Sequence, residues 1–273
     1  MRVQQAASTL AALGTLAVIV FTWISLKQVD NEHTLTREGQ VTDRYNAAVG
    51  NIGDESLEVR LGGIHALHRI MEDSPRDQPS IVDVLSTYIR SHAKKAKQYT
   101  SVVVEPSSDV QAALTALGTR DVNHDGIARV NLSGADLGGA YLVGAKLADA
   151  DLTNARLLGA YLSGADLTNA NLGGANLKDA YLRGAFLHEA RLITATLDDA
   201  HLAYADLTNT DLEYAALRDA DLTKANLTEA NLSYADLTEA DLHDANLTNA
   251  NLTKANLKDA LTPGTMGLPS GRP

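Results

Sequence analysis

The sequence predicts a mainly β solenoid preceded by a small α-helical region, and three observations predict it. First, from Asn131 to Ala260 the chain repeats one five-residue phrase without a break. There are 26 phrases, with Leu second in all of them and Ala fifth in all but one, where Thr210 stands. Second, a period of five suits neither regular element. On a helix it advances by about 500°, which scatters the leucines around the cylinder. On a flat strand an odd period sends successive leucines to opposite faces. Leu points inward every time only if the chain turns after each phrase, as in a coil with five-residue sides. Third, Tyr141, Tyr161 and Tyr181 open phrases at intervals of 20, and Asp179, Asp199, Asp219, Glu239 and Asp259 repeat the interval at the fourth position. Twenty residues are four phrases, so one coil has four sides. At a strand spacing of about 4.8 Å the block is roughly 30 Å long.

Phrases such as Asn131-Leu132-Ser133-Gly134-Ala135 and Asn256-Leu257-Lys258-Asp259-Ala260 carry a resemblance. The run resembles the pentapeptide-repeat proteins, whose phrase is Ala-(Asp/Asn)-Leu-x-x, over about half of the chain. The resemblance implies a right-handed, four-sided parallel β-helix over residues 131–261, with Leu and Ala inward and the other three positions outward. It implies no single function, because this fold hosts several.

Charge and composition exclude some classes. The net charge is −11, and the repeat block holds 19 Asp/Glu against 9 Lys/Arg. A basic nucleic-acid surface is absent, so direct nucleic-acid binding is not expected. There is no Cys, hence no disulfide framework and no thiol chemistry.

Residues 1–29 read as a single-pass transmembrane anchor. Ala6 to Leu26 carries no charge, and 21 residues span about 31 Å as a helix, the thickness of a bilayer core. Arg2 and Lys27 flank it, Trp23 sits near one end, and no small-x-small cleavage site closes it. Lys27, Arg37 and Arg44 follow the segment while Arg2 alone precedes it, so the positive-inside rule puts the C-terminal body in the cytoplasm. The localisation expected is the cell membrane.

Residues 30–100 read as helical. A helix is expected near Thr36 to Val49, closed by Gly50 and Gly53. A stripe at Leu57, Leu61, Ile64, Leu67 and Met71 marks a second, which Ser74-Pro75 breaks. A third opens at Pro79 and continues through Ile81, Val84, Leu85, Tyr88 and Ile89. Arg60 to Leu67 resembles the first helix of a HEAT-type pair and the juxtamembrane region of bacterial membrane-anchored pentapeptide-repeat proteins. One pair is too small a solenoid to stand alone, so it packs on itself, on a partner or near the membrane. Lys94-Lys95-Ala96-Lys97 suits a solvated helix end.

Residues 101–130 read as a linker and cap. Ser108-Asp109-Val110-Gln111 is a capping box opening a short helix to about Leu117, placed to cover the exposed end of the first coil. Asp121-Val122-Asn123-His124-Asp125-Gly126 imitates a calcium loop, but the twelfth position is Leu132 where a bidentate Glu is required. It reads as the turn into the first side. Residues 262–273, rich in Pro and Gly, read as a disordered tail.

No catalytic constellation, cofactor site or metal site emerges. His65 and His68 share a helix spacing, but no further ligand follows. What remains is surface. The Tyr141, Tyr161, Tyr181 column is read both as a stabilising ladder and as a binding stripe. In the column Asp179, Asp199, Asp219, Glu239 and Asp259, neighbouring charges repel by about 0.9 kcal/mol in water. Lys178, Arg218 and Lys258 directly precede three of these acids and partly neutralise them. The functional expectation is a non-enzymatic, membrane-anchored interaction scaffold presenting an acidic β-helix to an unknown protein partner. The alternative comes from the resemblance: some members mimic DNA with an acidic rod and protect gyrase from quinolones. The C-terminal end of the β-helix, with inward leucines to Leu257 and no visible cap, is open to two readings: two copies paired end to end, or a plug made by Met266 and Leu268 of the tail.

Overall fold

The computed structural model describes Trp23, Lys27, residues 38–93 and residues 103–268. The chain divides into two compact units, residues 1–47 and 48–273. In the first, residues 38–47 are helical, and the Lys27 ammonium lies 5.1 Å from the centroid of the Trp23 ring. Most of the Ala6–Leu26 segment lies outside the described residues, as do Lys94–Lys97. Among the described residues no helix is long and apolar enough to cross a membrane.

The second unit is a helical cap on a four-sided coil. The 20-residue period is confirmed residue by residue. Asn131 pairs in parallel with Asp151, Asp136 with Arg156, Tyr141 with Tyr161 and Lys146 with Asp166, and the pattern runs on to Asn246 with Met266. Each pairing is a two-bond unit: Leu132 N–H donates to Asp151 O at 2.7 Å, and Asp151 N–H to Val130 O at 2.9 Å. Strands were expected along the sides, but among the described residues every side is a single isolated bridge. Each side is too short for more. At the corners the N–H of Ala, or of Thr210, closes a four-residue turn onto the Leu carbonyl, as Ala135 N to Leu132 O at 3.1 Å, so only the first residue of a side forms a bridge, and the corner adds a single bond to the next coil, as Gly134 N to Thr153 O at 2.9 Å. The fourth residue of all 26 phrases has a positive φ, the conformation a tight turn of this kind requires at its third residue.

The inward positions form one continuous core of Leu and Ala. Thr210, the exception, is fully buried and donates its hydroxyl to Leu187 O at 2.9 Å. A buried hydroxyl is tolerated when it is bonded. The tail departs from the expectation of disorder over residues 262–268. Leu261-Thr262-Pro263-Gly264-Thr265 forms a further side, Leu261 bridges Asp241, and Met266 bridges Asn246. Thr265 repeats the Thr210 device, donating to Leu242 O at 2.7 Å. Gly264 supplies the positive φ of the corner, so the Pro-Gly pair that suggested disorder is corner chemistry. Residues 269–273 lie outside the described residues.

Helices α1 (Leu57–Asp73), α2 (Gln78–His92) and α3 (Ser108–Thr119) pack together above the first coil. The division into a separate helical region and a capping linker therefore gives way to one cap. Its centre is a buried carboxylate. Asp109 Oδ2 receives Arg60 Nε at 2.8 Å and the Tyr88 hydroxyl at 2.6 Å, joining all three helices. Asp109 Oδ1 receives Ser107 Oγ at 2.6 Å and Val110 N–H at 2.9 Å. Burial pushes this carboxyl up, but hydrogen bonds from Ser107, Tyr88, Arg60 and Val110 outweigh it and hold it well below the usual range. Burial and the bond to Asp109 push Tyr88 up to about 12.

The cap also satisfies the backbone edge of the first coil, whose outward N–H and C=O groups have no preceding coil to bond. Asn131 N–H meets Ser86 Oγ at 3.3 Å and Asn131 O meets Arg90 at 2.6 Å. Gln111 spends its side-chain amide on Tyr141, donating to its carbonyl at 2.9 Å and accepting from its N–H at 3.0 Å. It thus imitates the strand of a missing coil, where the expected capping box would have turned it back on its own helix. Lys146 N–H reaches Gly118 O at 3.0 Å, and the buried Arg120 donates to Lys146 O at 2.8 Å. Residues 103–105 strap the second side. A Cβ on Gly139 would lie 2.8 Å from Val103 Cγ1, and one on Gly159 3.1 Å from Val103 Cγ2, so the strap needs these glycines.

The helical stripe held at Ile64, Leu67 and Met71, while Leu57 is exposed and Ile70 and Gly63 join the core. Gly63 is buried because α1 crosses the helical residues 48–52 there. A Cβ would come within 2.8 Å of Ala48 O and 2.9 Å of Ile52 Cγ2, whereas a Cβ on Gly62 meets nothing within 4 Å.

Two predictions follow from these contacts. Gly63→Ala should destabilise the protein by about 1–3 kcal/mol through overpacking, while Gly62→Ala should stabilise it by up to about 1 kcal/mol through helix propensity. Chemical denaturation of the pair measures both signs. Asp109→Asn should lower Tm at neutral pH. The folded pKa of Asp109 is depressed, so its contribution is present above the unfolded value of about 3.9 and is lost as pH falls toward the folded value. The Tm gap between wild type and Asp109→Asn should therefore narrow below about pH 4.

Candidate functional site

The candidate surface is the outside of the coil, and two local rules decide what stands on it. At the first phrase position, Asp or Asn turns its side chain onto the backbone N–H two residues on, as Asp151 Oδ1 does to Thr153 N at 3.0 Å and Asn246 Oδ1 to Thr248 N at 3.1 Å. This is an Asx turn, and either residue makes it. At the fourth position φ is near +58°, where Gly, Asn and Asp pay least. The predicted acidic column Asp179, Asp199, Asp219, Glu239 and Asp259 occupies this position, with φ of 56°, 58°, 55°, 61° and 59°. Backbone conformation is thus a sufficient reason for an Asx residue at the four Asp positions, though not for their charge and not for Glu239.

The sides differ in charge. Numbering them from the one that starts at Asn131, side 2 carries eight Asp/Glu against four Lys/Arg and side 4 five against one. Sides 1 and 3 each carry three against two. The acid is therefore segregated onto opposite sides. On side 2 the column begins where the 103–105 strap ends, since Gly139 and Gly159 precede Asp179 in it. Two of the three basic residues form their ion pairs with acids other than the ones they precede. Lys178 pairs with Asp199 on the next coil, and Arg218 with Asp236 rather than Asp219. Lys258 alone faces its neighbour, 3.7 Å from Asp259. Hydrogen bonding to Arg218 and Thr238 outweighs burial and lowers the Asp236 carboxyl.

The tyrosine column is a ladder on side 3. Tyr161 and Tyr181 stack with centroids 5.0 Å apart, and His201 continues the stack at 4.9 Å. Tyr141 is tilted by 42° at 6.3 Å and is 62% exposed. Sequence reasoning missed three further tyrosines, Tyr204, Tyr214 and Tyr234, which stand at the fourth position with φ of 63°, 58° and 59°. A bulky side chain there is an outlier that costs about 1 kcal/mol or more. The signal was present in the sequence as a Tyr where Gly, Asn or Asp is the norm. Tyr214 and Tyr234 stack at 4.7 Å, with the Lys254 ammonium 4.9 Å from the Tyr234 centroid. Tyr204 is flanked by Arg183 at 4.5 Å and Lys224 at 5.6 Å.

Among the described residues of the cap, no side chains assemble a reacting centre. A groove of about 420 Å³ between residues 49–53 and α2 holds Ser91 and His92, 2.9 Å apart. Both turn onto the Tyr88 carbonyl, at 2.9 and 3.0 Å, and the His92 ring stacks on Tyr88 at 4.0 Å. Nδ1 of His92 is thereby engaged with the backbone and is not placed as a base. In the calcium-like loop, both Asp125 oxygens face Arg120, at 2.7 to 3.1 Å, and Gln78 reaches Oδ1 at 2.7 Å. Asp121 caps its own turn through Asn123. His68 lies 3.4 Å from Thr119. Among the described residues no group of three or more His, Cys, Asp or Glu could hold a metal.

A sequence profile described as pentapeptide repeats (8 copies) matches residues 131–169, 160–199, 192–228 and 225–261. The chain belongs to the pentapeptide-repeat family. Membership implies a right-handed sense for the coil. A comparison with curated proteins finds no match. Solved structures do match. A pentapeptide repeat protein from the thylakoid lumen of Arabidopsis thaliana is 37% identical over 36% of this chain and 68% of its own, with a TM-score of 0.35. HetL, involved in heterocyst differentiation regulation in the cyanobacterium Nostoc sp. strain PCC 7120, is 35% identical over 54% and 77%, with a TM-score of 0.27. QnrB1, a plasmid-mediated fluoroquinolone resistance protein, is 23% identical over 48% and 64%, with a TM-score of 0.34. Pentapeptide-repeat proteins are in general structural or interaction proteins rather than enzymes.

The fourth-position rule is testable at Asp219. Asp219→Asn and Asp219→Gly should leave stability within about 0.5 kcal/mol of wild type, whereas Asp219→Ala should cost about 1 kcal/mol. Urea unfolding of the three variants distinguishes a backbone role from a charge role.

Proposed function

We propose that the protein is a non-enzymatic interaction scaffold whose rigid coil presents carboxylates to a basic surface on a protein partner. One observation supports this reading above the others. The backbone asks for an Asx residue at the first position and for Gly, Asn or Asp at the fourth, and Asn meets both demands. The surplus of acid on sides 2 and 4 is therefore a choice the fold did not require. Ala6–Leu26, if it spans the bilayer, holds this coil at the cell membrane with the body in the cytoplasm. Affinity capture from detergent-solubilised membranes tests the reading. The full chain should capture a basic partner in a salt-sensitive manner, and a chain with Asp179, Asp199 and Asp219 all changed to Asn should not. Capture undiminished by the triple change would refute it.

The gyrase-directed alternative draws on the opposition of the two acidic sides across the coil. A supercoiling assay with the full chain decides it, since unchanged gyrase activity at high protein concentration removes that reading. Self-association through the last coil remains part of the proposal. Leu261 and Met266 are 51% and 55% exposed, and no described residue covers that end. Light scattering measures it directly.

A further inference from the structure

Three tyrosines stand at the fourth phrase position, where φ is positive and Gly, Asn or Asp is the ordinary choice. Two of them hold cations of this chain. Arg183 lies 4.5 Å and Lys224 5.6 Å from the centroid of Tyr204. Lys254 lies 4.9 Å from the centroid of Tyr234 and donates to its hydroxyl at 3.2 Å. Tyr214 is different. One face stacks on Tyr234, with centroids 4.7 Å apart and planes 18° from parallel. No cation and no second ring of the described residues lies over the other face, and Tyr214 is 54% exposed. The register of the coil accounts for this. Arg183 stands 21 residues before Tyr204, at the third position of the preceding coil, and the same place before Tyr214 belongs to Ile193. Thr194, one coil earlier in the column of Tyr214, is too short to cover a ring and donates its hydroxyl to the Ile193 carbonyl at 2.7 Å.

The charge around this ring is one-sided. Over residues 191–200, 211–220 and 231–240, which are sides 1 and 2 of three successive coils, seven Asp/Glu stand against Arg191 and Arg218 alone. Arg218 is held by Asp236 and Arg191 is not over the ring. Lys178 reaches in from the coil before, but to Asp199. Asp211 and Glu213, on the side and coil of Tyr214 itself, make no ion pair among the described residues. From these observations we infer that Tyr214 is the anchor for an arginine or lysine of a partner protein. The inference rests on the basic partner of the proposed function and names where that partner docks. The cation takes the open face of Tyr214 as Arg183 takes Tyr204. Its methylene stem lies against Ile193, and the surrounding carboxylates draw it in. The ring, not the acid, fixes the spot. Carboxylates are strung along the whole of side 2, whereas among the described residues a fourth-position ring without a cation occurs once. Ring face and surrounding charge select the same kind of occupant.

Fluorescence anisotropy of a labelled hexa-arginine peptide with the full chain at low salt tests the inference. Wild type should bind. Tyr214→Asn should weaken binding about fivefold, while Tyr214→Phe, which keeps the ring, should bind within about twofold of wild type. Asn already occupies this position at Asn154, Asn169, Asn209 and Asn249, so Tyr214→Asn should melt no lower than wild type, which circular dichroism checks. Tyr204→Asn should leave binding unchanged, because that ring is already engaged by Arg183 and Lys224. Absence of binding to wild type, equal binding by wild type and Tyr214→Asn, or an equal loss on Tyr204→Asn would overturn the inference. A chain with Asp179, Asp199 and Asp219 changed to Asn separates it from the proposed function. Loss in that chain with none in Tyr214→Asn removes the anchor and keeps the acidic face. Loss in Tyr214→Asn with none in that chain keeps the anchor and removes the acidic column as the docking face.

Discussion

Every corner of this coil turns on a residue with φ near +60°, and the rest of the structure depends on that constraint. With five residues per side, the chain must change its heading by about a quarter turn within two of them, and a left-handed residue does so while leaving Leu and Ala facing inward. From this follow the single-residue bridges, the Asx turns that brace the next side and the abundance of Asp, Asn and Gly on the surface. Composition that resembles an acidic binding face is in large part the residue set the corner permits. The informative positions are the departures: Tyr204, Tyr214 and Tyr234 in a conformation that disfavours them, and carboxylates where Asn would serve.

The second constraint is the edge. A coil of this kind passes its hydrogen bonds from one turn to the next, so the first turn presents groups with nothing above them. The cap answers with side chains as much as with backbone: Ser86 and Arg90 at Asn131, Gln111 at Tyr141, Arg120 at Lys146. These contacts require α1, α2 and α3 to be fixed relative to one another. The Arg60, Tyr88 and Asp109 cluster fixes them, and its weakness would be felt in the coil below.

How much of this could be read from the sequence depended on repetition. The four sides, the inward Leu and Ala and the tyrosine ladder were legible because each is stated many times at one interval. The 262–268 side was not, because Thr265 replaces Ala and Pro263-Gly264 replaces the usual corner, and a composition rule outweighed the faint phrase. The unity of the cap was not legible either. Arg60 and Asp109 are 49 residues apart, and a lone pair at that separation leaves no pattern. Gln111 was noticed for the wrong reason, since a capping box and a side-chain mimic of a strand demand the same residue type. At Lys178 and Arg218, proximity in sequence suggested pairs that the coil resolves vertically, one turn on.

The side-chain mimicry at Gln111 has a consequence for how such a chain varies in length. The cap recognises the backbone of one turn, and every later turn offers the same backbone. Gain or loss of twenty residues therefore lengthens or shortens the rod and leaves each surface column in line. Gain or loss of five is different. The core would still be Leu and Ala, but everything downstream would be rotated by a quarter turn, setting the aromatic column above an acidic one. The surface thus has a reading frame of four phrases, and insertions in this chain divide into those that keep it and those that scramble the faces without unfolding anything.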